Sequence, residues 1–285
     1  MKRLRALLAG AVTLAAMPAA VPVYAQVVAD AAPESGQALP LWEVGVIGGA
    51  VSTPAYPGAG VRNARAMALP YLIYRGKVVR SEQGGVDARL FHNDSVELNI
   101  GAAASLPADS DDVAIRRGMP DLGTLLEFGP QLKIKLAQPA PGSSLRLDAP
   151  LRAVIEVRGG WRNQGAVFEP RLVYDVRRKG WSFSANLGLL YGSTKLNQYF
   201  YGVAPQYATA FRPAYDAQSG HMLTRLGLSA TYDLTDAARL YVFSRYDSYA
   251  GAANRASRLF ERGQGVSAGL AVAWTLAESR RGGSN

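Results

Sequence analysis

Apolar and polar side chains alternate for twelve residues between Trp181 and Gly192, and eleven more runs of this kind lie along the chain. Trp181, Phe183, Ala185, Leu187, Leu189 and Tyr191 fall on one face; Ser182, Ser184, Asn186, Gly188 and Gly192 fall on the other, where Leu190 is the one large apolar residue. Successive side chains of a strand point to opposite faces, so the pattern makes one greasy wall and one wet wall. Aromatics mark both ends of the greasy wall. At about 3.3 Å per residue and a tilt near 45°, Trp181 and Tyr191 stand roughly 24 Å apart along a membrane normal, close to the ~25 Å between the aromatic girdles of outer-membrane barrels.

The N-terminus agrees with export. Lys2, Arg3 and Arg5 precede an apolar stretch, Ala6 to Ala16, and Val23-Tyr24-Ala25 offers small residues for cleavage before Gln26. The stretch is too short to span a bilayer as a helix, and Pro18 and Pro22 follow it. Residues 1–25 therefore read as a signal peptide. No cysteine is present, so neither a lipid anchor of the lipoprotein kind nor a disulfide framework is expected. Three of the 31 lysines and arginines lie in the signal, leaving 28 against 22 acidic residues, a net of +6. These charges are scattered along strands instead of clustered, which fits a solvated lumen and anionic headgroups and argues against nucleic acid. No later segment is a long uncharged apolar run, which excludes a helical membrane protein.

Residues 26–40 lack periodicity and read as a flexible periplasmic leader. Strands are predicted at Leu41–Ser52, Arg65–Tyr74, Lys77–Glu82, Gly85–Phe91, Ser95–Leu106, Leu122–Ala137, Leu145–Arg158, Ala166–Arg177, Trp181–Gly192, Met222–Leu234, Arg239–Ser248 and Gly265–Leu276. An even count suits a closed antiparallel barrel. With the N-terminus in the periplasm, the outward connections are Thr53–Ala64, Gln83–Gly84, Pro107–Asp121, Gly159–Gly165, Ser193–His221 and Tyr249–Gln264. All but Gln83–Gly84 are longer than nearly all the inward ones, as outer-membrane barrels require. The wet faces carry Glu127, Gln131, Lys133 and Lys135 on one strand and Arg146, Asp148, Arg152, Glu156 and Arg158 on the next. Glu169, Arg171, Asp175, Arg225, Asp233, Arg245 and Asp247 continue the set. Opposite charges on neighbouring inner walls should pair, leaving a nearly closed lumen. Pro70, Pro130, Pro150 and Pro170 fall inside strands, where each removes a ladder donor, so bulges or breaks are expected there.

Catalytic chemistry is not legible. The two imidazoles are His92, in a predicted turn His-Asn-Asp, and His221, at the end of the longest outward connection beside Ser219. Both read as turn or strand-entrance residues, and two histidines without cysteine do not make a zinc site. Pairs such as Asp148 with Arg152 read as lumen networks instead of acid–base dyads. The glycines at 45, 48, 49, 58 and 60 read as strand and turn residues, not a phosphate loop. The aromatics Tyr199-Phe200-Tyr201, with Tyr207, Phe211 and Tyr215, read as the core of a loop folded over the barrel mouth, ahead of the alternative of a recognition surface.

These loops also carry a resemblance. Tyr56-Pro57-Gly58, Leu69-Pro70-Tyr71 with Tyr74-Arg75-Gly76, Tyr199-Phe200-Tyr201-Gly202-Val203, Tyr215 to Gly220, and Asp247-Ser248 resemble, in order, the signature of the MipA/OmpV family over about Leu41 to Leu276. The chain departs from that pattern in continuing past Trp274-Thr275-Leu276, and in Tyr249-Ala250, where the family tends to have Pro-Leu. The resemblance implies an outer-membrane barrel and, for the name-giving member, a scaffold bridging a murein transglycosylase and a murein synthase. The sequence thus predicts an all-β, transmembrane antiparallel β-barrel of about twelve strands at 41–276, followed by a C-terminal tail at 277–285 and placed in the cell outer membrane. Its partners are outer-membrane lipid and, by resemblance, those two murein enzymes; nucleic acid is not among them. It holds no catalytic, cofactor-binding or metal residues and acts as an envelope scaffold or binding protein. A small-solute channel is the alternative, and an outer-membrane hydrolase the third reading.

Overall fold

Chain that alternates in polarity folds as strand. A computed structural model describes residues 40–76, 79–80, 87–105, 107–158 and 160–280. The signal peptide, the leader up to residue 39, the tail from residue 281, the predicted connection Gln83–Gly84 and parts of the predicted strands Lys77–Glu82 and Gly85–Phe91 lie outside the described residues. In chain order the strands are β1 (Trp42–Pro54), β2 (Arg62–Tyr74), β3 (Val79–Arg80), β4 (Asp87–His92), β5 (Val96–Ala104), β6 (Thr124–Ala137), β7 (Ser143–Val157), β8 (Trp161–Phe168), β9 (Arg171–Arg178), β10 (Trp181–Gly192), β11 (Gly220–Thr235), β12 (Ala238–Ser248) and β13 (Gln264–Glu278). All the pairings are antiparallel, and the order around the wall is β2-β1-β13-β12-β11-β10, then β8 with β9, then β7-β6-β5-β4-β3. β8 and β9 both sit between β7 and β10, so they are two halves of one wall strand and the barrel has twelve. Across the seam, Arg65 of β2 donates to the Pro107 carbonyl at 3.0 Å. β13 runs two residues past the predicted end.

The predicted facing holds. Leu187 of β10 is 56% exposed, and Phe183, Leu189 and Tyr191 are exposed with it, while Ser184 and Gly188 between them are buried. Phe128, Leu151, Leu226, Leu228 and Leu270 continue the outer apolar surface. Trp181 closes one edge of it, stacked on Phe183 and tilted against Tyr232.

Three of the four prolines disturb the ladder, and they do so at one height. The wall strand divides at Glu169-Pro170, so that the Glu169 amide donates to the Pro150 carbonyl and the Leu189 amide to the Pro170 carbonyl. Pro150 faces Gln131, and the β6–β7 register skips Gly129 and Pro130. Pro70 does not fit the expectation: β2 pairs with β1 in unbroken register from Arg62 to Tyr74. A second correction concerns Gly159–Gly165, expected as an outward loop. β8 starts at Trp161, directly opposite Val157, and Gly165, at φ +96°, is a bulge in which Gln164 is left unpaired. A turn-like glycine spacing had marked a bulge.

The inner wall is also not wet all round. On the β12-β13-β1-β2 side, Ile47, Tyr241, Ala271 and Ala273 form a buried cluster with Met67, Leu69, Tyr71 and Phe243. Aromatic rings from β2 and β12 lie over the small residues of β1 and β13. A methyl group at Gly45 would come within 2.6 Å of the Tyr71 ring, and one at Gly269 would collide with Phe243. Small residues beneath large cross-strand neighbours let the lumen fill without forcing the wall apart.

Leu187→Arg should place a cation in lipid at a cost of roughly 2–4 kcal/mol near the midplane, whereas Asn186→Arg turns inward and should assemble far better. Heat-modifiable migration in a detergent gel reads both, and equal yields would overturn the facing.

Candidate functional site: the closed mouth of the barrel

Four long connections at the outer end, residues 55–61, 105–123, 193–219 and 249–263, fold inward instead of standing out from the wall. The longest begins with a helix, α1 (Thr194–Tyr201), because Ser193 is placed to cap it. The Ser193 hydroxyl accepts from the Leu196 amide at 3.4 Å and from the Ala166 amide of β8 at 2.9 Å, tying helix to wall. Asn197, fully buried, donates to the Gly192 carbonyl at 3.1 Å. The helix then presents Leu196 and Tyr201 to a core containing Tyr56, Val113, Leu122, Leu223 and Tyr249. Phe260 joins it, stacked on Tyr201 at 5.0 Å and edge-on to Tyr249 at 5.3 Å. A bulge between Leu190 and Tyr191 brings Met222 and Leu223 of β11 into the same core. The aromatic loop is thus a packed lid. Tyr207 and Phe211, the latter 86% exposed, are the aromatics of that loop that stay outside it.

Polar groups staple the lid. Arg116 is buried without a carboxylate partner: it donates to the Phe200 and Pro120 carbonyls, each at 3.1 Å, and to the Ser110 hydroxyl at 3.3 Å, and its guanidinium lies over the Tyr56 ring at 5.5 Å. Arg212 does likewise, reaching the Ile115 carbonyl at 2.6 Å and the Tyr207 carbonyl at 2.6 Å. Two arginines thereby clamp residues 105–123 to 193–219. The other connections are tied by the Tyr56 hydroxyl on the Leu259 carbonyl and the Ser257 hydroxyl on the Tyr201 carbonyl, both 2.7 Å. Tyr199 donates to Glu156 at 3.0 Å and accepts from the Gly123 amide at 2.7 Å. Burial pushes the Tyr56, Tyr199 and Tyr201 phenols up, Tyr249 reaches about 12 through burial and then the nearby Asp247 charge, and burial draws the Arg116 guanidinium down. None of these phenols ionises near neutral pH, so the lid's hydrogen bonds persist there.

Beneath the lid lies a chamber of about 190 Å³. Its ceiling is apolar and its floor is a layer of ion pairs. Arg225 grips Asp247 with two bonds, at 2.7 and 3.0 Å, and Glu169 with a third at 3.0 Å. Glu169 is also 3.7 Å from Arg152, which reaches Glu127 at 3.3 Å. Arg245 stands among them on β12. Lower down, Asp148, 1% exposed, holds Arg146 at 3.1 Å and Arg171 at 3.5 Å, and Arg146 also pairs with Asp175. Lys133 reaches Glu97 at 3.5 Å. The expected grouping of Asp148 with Arg152 is therefore corrected: among the described residues they belong to two networks at two heights. Asp148 and Arg152 stand four residues apart on β7, opposite Arg171 of β9 and Val167 of β8, so each meets different inward neighbours.

The histidines lie apart. His92 ends β4 at the short-turn end, 3.8 Å from Glu97, while His221, at the lid end, faces Thr224 at 3.3 Å and the edge of Tyr191. The inner charges were legible as a set from alternation. Their heights, and the lid arginines Arg116 and Arg212 within aperiodic loops, had no signal in the sequence.

The profile of the family described as MltA-interacting protein MipA matches residues 45–276. The chain belongs to the MipA family. No curated protein matches it. Among solved structures this MipA-family barrel is similar to an outer membrane channel from Pseudomonas putida F1, at 14% identity and a TM-score of 0.48, over 87% of this chain and 100% of that one. It is also similar to the translocator domain of the autotransporter NalP from Neisseria meningitidis (10%, TM-score 0.38, 82% and 88%) and to outer membrane phospholipase A from Escherichia coli (10%, TM-score 0.36, 81% and 92%). As a MipA-family member the chain is an outer-membrane barrel, and its lid is built from motifs that carried the resemblance: Tyr56 and the Tyr199-Phe200-Tyr201 run.

Arg116→Met would take the side-chain donor from the Phe200 carbonyl and the guanidinium from the Tyr56 ring, destabilising the lid by about 1–3 kcal/mol, while the Pro120 carbonyl keeps its bond from the Ser110 hydroxyl. Limited proteolysis should then cut residues 105–123 and 193–219 faster while the heat-modifiable barrel stays intact. Ser193→Ala should do the same more weakly, by roughly 1 kcal/mol.

Proposed function

We propose that this protein is a non-enzymatic outer-membrane barrel that works by binding at the cell envelope, with its lumen shut. The observation that carries the reading is the double closure of the bore, by interlocked loops at the mouth and by an ion-pair layer beneath them. A porin needs an open aqueous path, and twelve strands filled from both sides do not provide one. The charged inner wall and the chamber favour the second reading, a small-solute channel that opens when the lid moves.

The family's description names an interaction with MltA, and we place the corresponding contact of this chain on the periplasmic side. Support comes from where the ends of the barrel meet. The Ser279 hydroxyl accepts from the Leu41 amide at 2.7 Å, and the Ser279 amide donates to the Trp42 carbonyl at 2.9 Å, so the first and last described segments of the wall meet at this end. The 138–142 turn adds an exposed rim with Pro139 and Pro141, stiffened by Ser143, whose hydroxyl bonds Ala140 at both its amide and its carbonyl. A murein transglycosylase and a murein synthase are the partners this face would hold.

Purified protein in planar bilayers should show no large, steady current; such a current would replace the scaffold with the channel. Deleting residues 26–39 and 281–285 should abolish co-purification of murein enzymes and leave heat-modifiable migration unchanged. Co-purification that survives this deletion, yet disappears when 199–215 is removed, would move the partner site to the outer face.

A further inference from the structure

The chamber under the lid belongs neither to the scaffold reading nor to the wall's stability. We propose that it is a binding site for a small neutral amphipathic molecule: one ring, or a chain of similar bulk, bearing one hydroxyl-type head.

Size sets the first limit. An apolar cavity of about 150 Å³ accommodates benzene, so the chamber's 190 Å³ takes a single ring with one small substituent. Chemistry sets the second. Leu196, Phe200, Met222 and Leu223 give the lining an apolar side, and Thr53, Asn63, Ser105 and Ser267 add neutral polar groups to it. The floor offers donors and acceptors at Glu127, Arg225, Arg245 and Asp247, and Tyr249 lines the chamber with them. That residue is 1% exposed, and its hydroxyl makes no well-formed hydrogen bond among the described residues, the Gly58 amide being close enough to interact with it but not to satisfy it. A buried phenol left without a partner is costly, and a ligand hydroxyl in the chamber would satisfy it. Charge sets the third limit. Glu127, Glu169 and Asp247 match Arg152, Arg225 and Arg245 in number, and Arg152 and Arg225 already hold all three carboxylates. A charged ligand would bring an uncompensated charge into a buried site, whereas a neutral head would not.

The test uses folded full-length mature protein in lipid nanodiscs and 4-fluorobenzyl alcohol observed by fluorine NMR. A saturable bound resonance, distinct from the lipid-partitioned one, is expected. It should vanish in Ala103→Trp, which fills the chamber from the inner face of β5, while heat-modifiable migration is kept. Tyr249→Phe should weaken the alcohol about three- to tenfold and leave 4-fluorotoluene unchanged; a merely structural loss would weaken both. 4-Fluorobenzoate and 4-fluorobenzylammonium should give no bound signal. The proposal is overturned if wild type shows the lipid-partitioned resonance alone, if the bound signal persists in Ala103→Trp, or if the charged analogues bind as well as the alcohol. Should Ala103→Trp fail to assemble, the Tyr249→Phe comparison decides by itself.

Discussion

Every amide and carbonyl of the wall must find its partner inside the wall, because hydrocarbon offers none. That requirement makes the sheet close on itself, and closure fixes the rest. Once β1 pairs with both β2 and β13, each residue faces either lipid or lumen, and the side-chain alternation decides which. The prolines show how strictly the accounting is kept. Where Pro170 withholds a donor, the strand divides and the neighbouring amides of Glu169 and Leu189 turn to the carbonyls of Pro150 and Pro170. Glu169, at that break, faces the lumen and joins Arg152 and Arg225 in one network.

The lumen is filled by two kinds of matter, divided by strand. Where the inner faces carry long charged side chains, on β5 to β12, ions of opposite sign cross-link the wall. Where the inner faces carry glycine and alanine, on β1 and β13, aromatic rings from either side cover them. A buried ion pair is weak evidence for stability, since desolvation offsets much of its attraction. Its worth here lies in geometry. Arg225 can satisfy Asp247 and Glu169 together only if three wall strands hold their register, so the network rewards one arrangement of the barrel over slipped ones.

The sequence announced the wall clearly because lipid and lumen impose opposite demands on neighbouring residues. The Leu187 and Ser184 faces could be read without coordinates for that reason. Position along the bore is a different matter: nothing in the spacing of Asp148 and Arg152 tells that they serve separate layers. The segment Gly159–Gly165, expected as a connection, is mostly strand, with a bulge at Gly165 whose left-handed backbone suits glycine. Pro70 misled because a proline's place in a sequence does not tell whether the register of its strand is interrupted, and here it is not. The lid was legible as aromatic loop content but not as mechanism. Arg116 and Arg212 bind carbonyls, and no sequence pattern marks a carbonyl that lacks a partner.

The pairing of β1 with β13 has a kinetic meaning. Residues such as Val46 and Trp274 face each other across more than two hundred positions of chain. Loop-closure entropy rises only slowly with such lengths, but contacts this remote cannot reward the chain until nearly everything between them is in place. A sheet missing only its last strand would present two raw edges to the bilayer. Insertion is therefore close to an all-or-nothing event, and a cell that begins to assemble this wall has no safe place to pause.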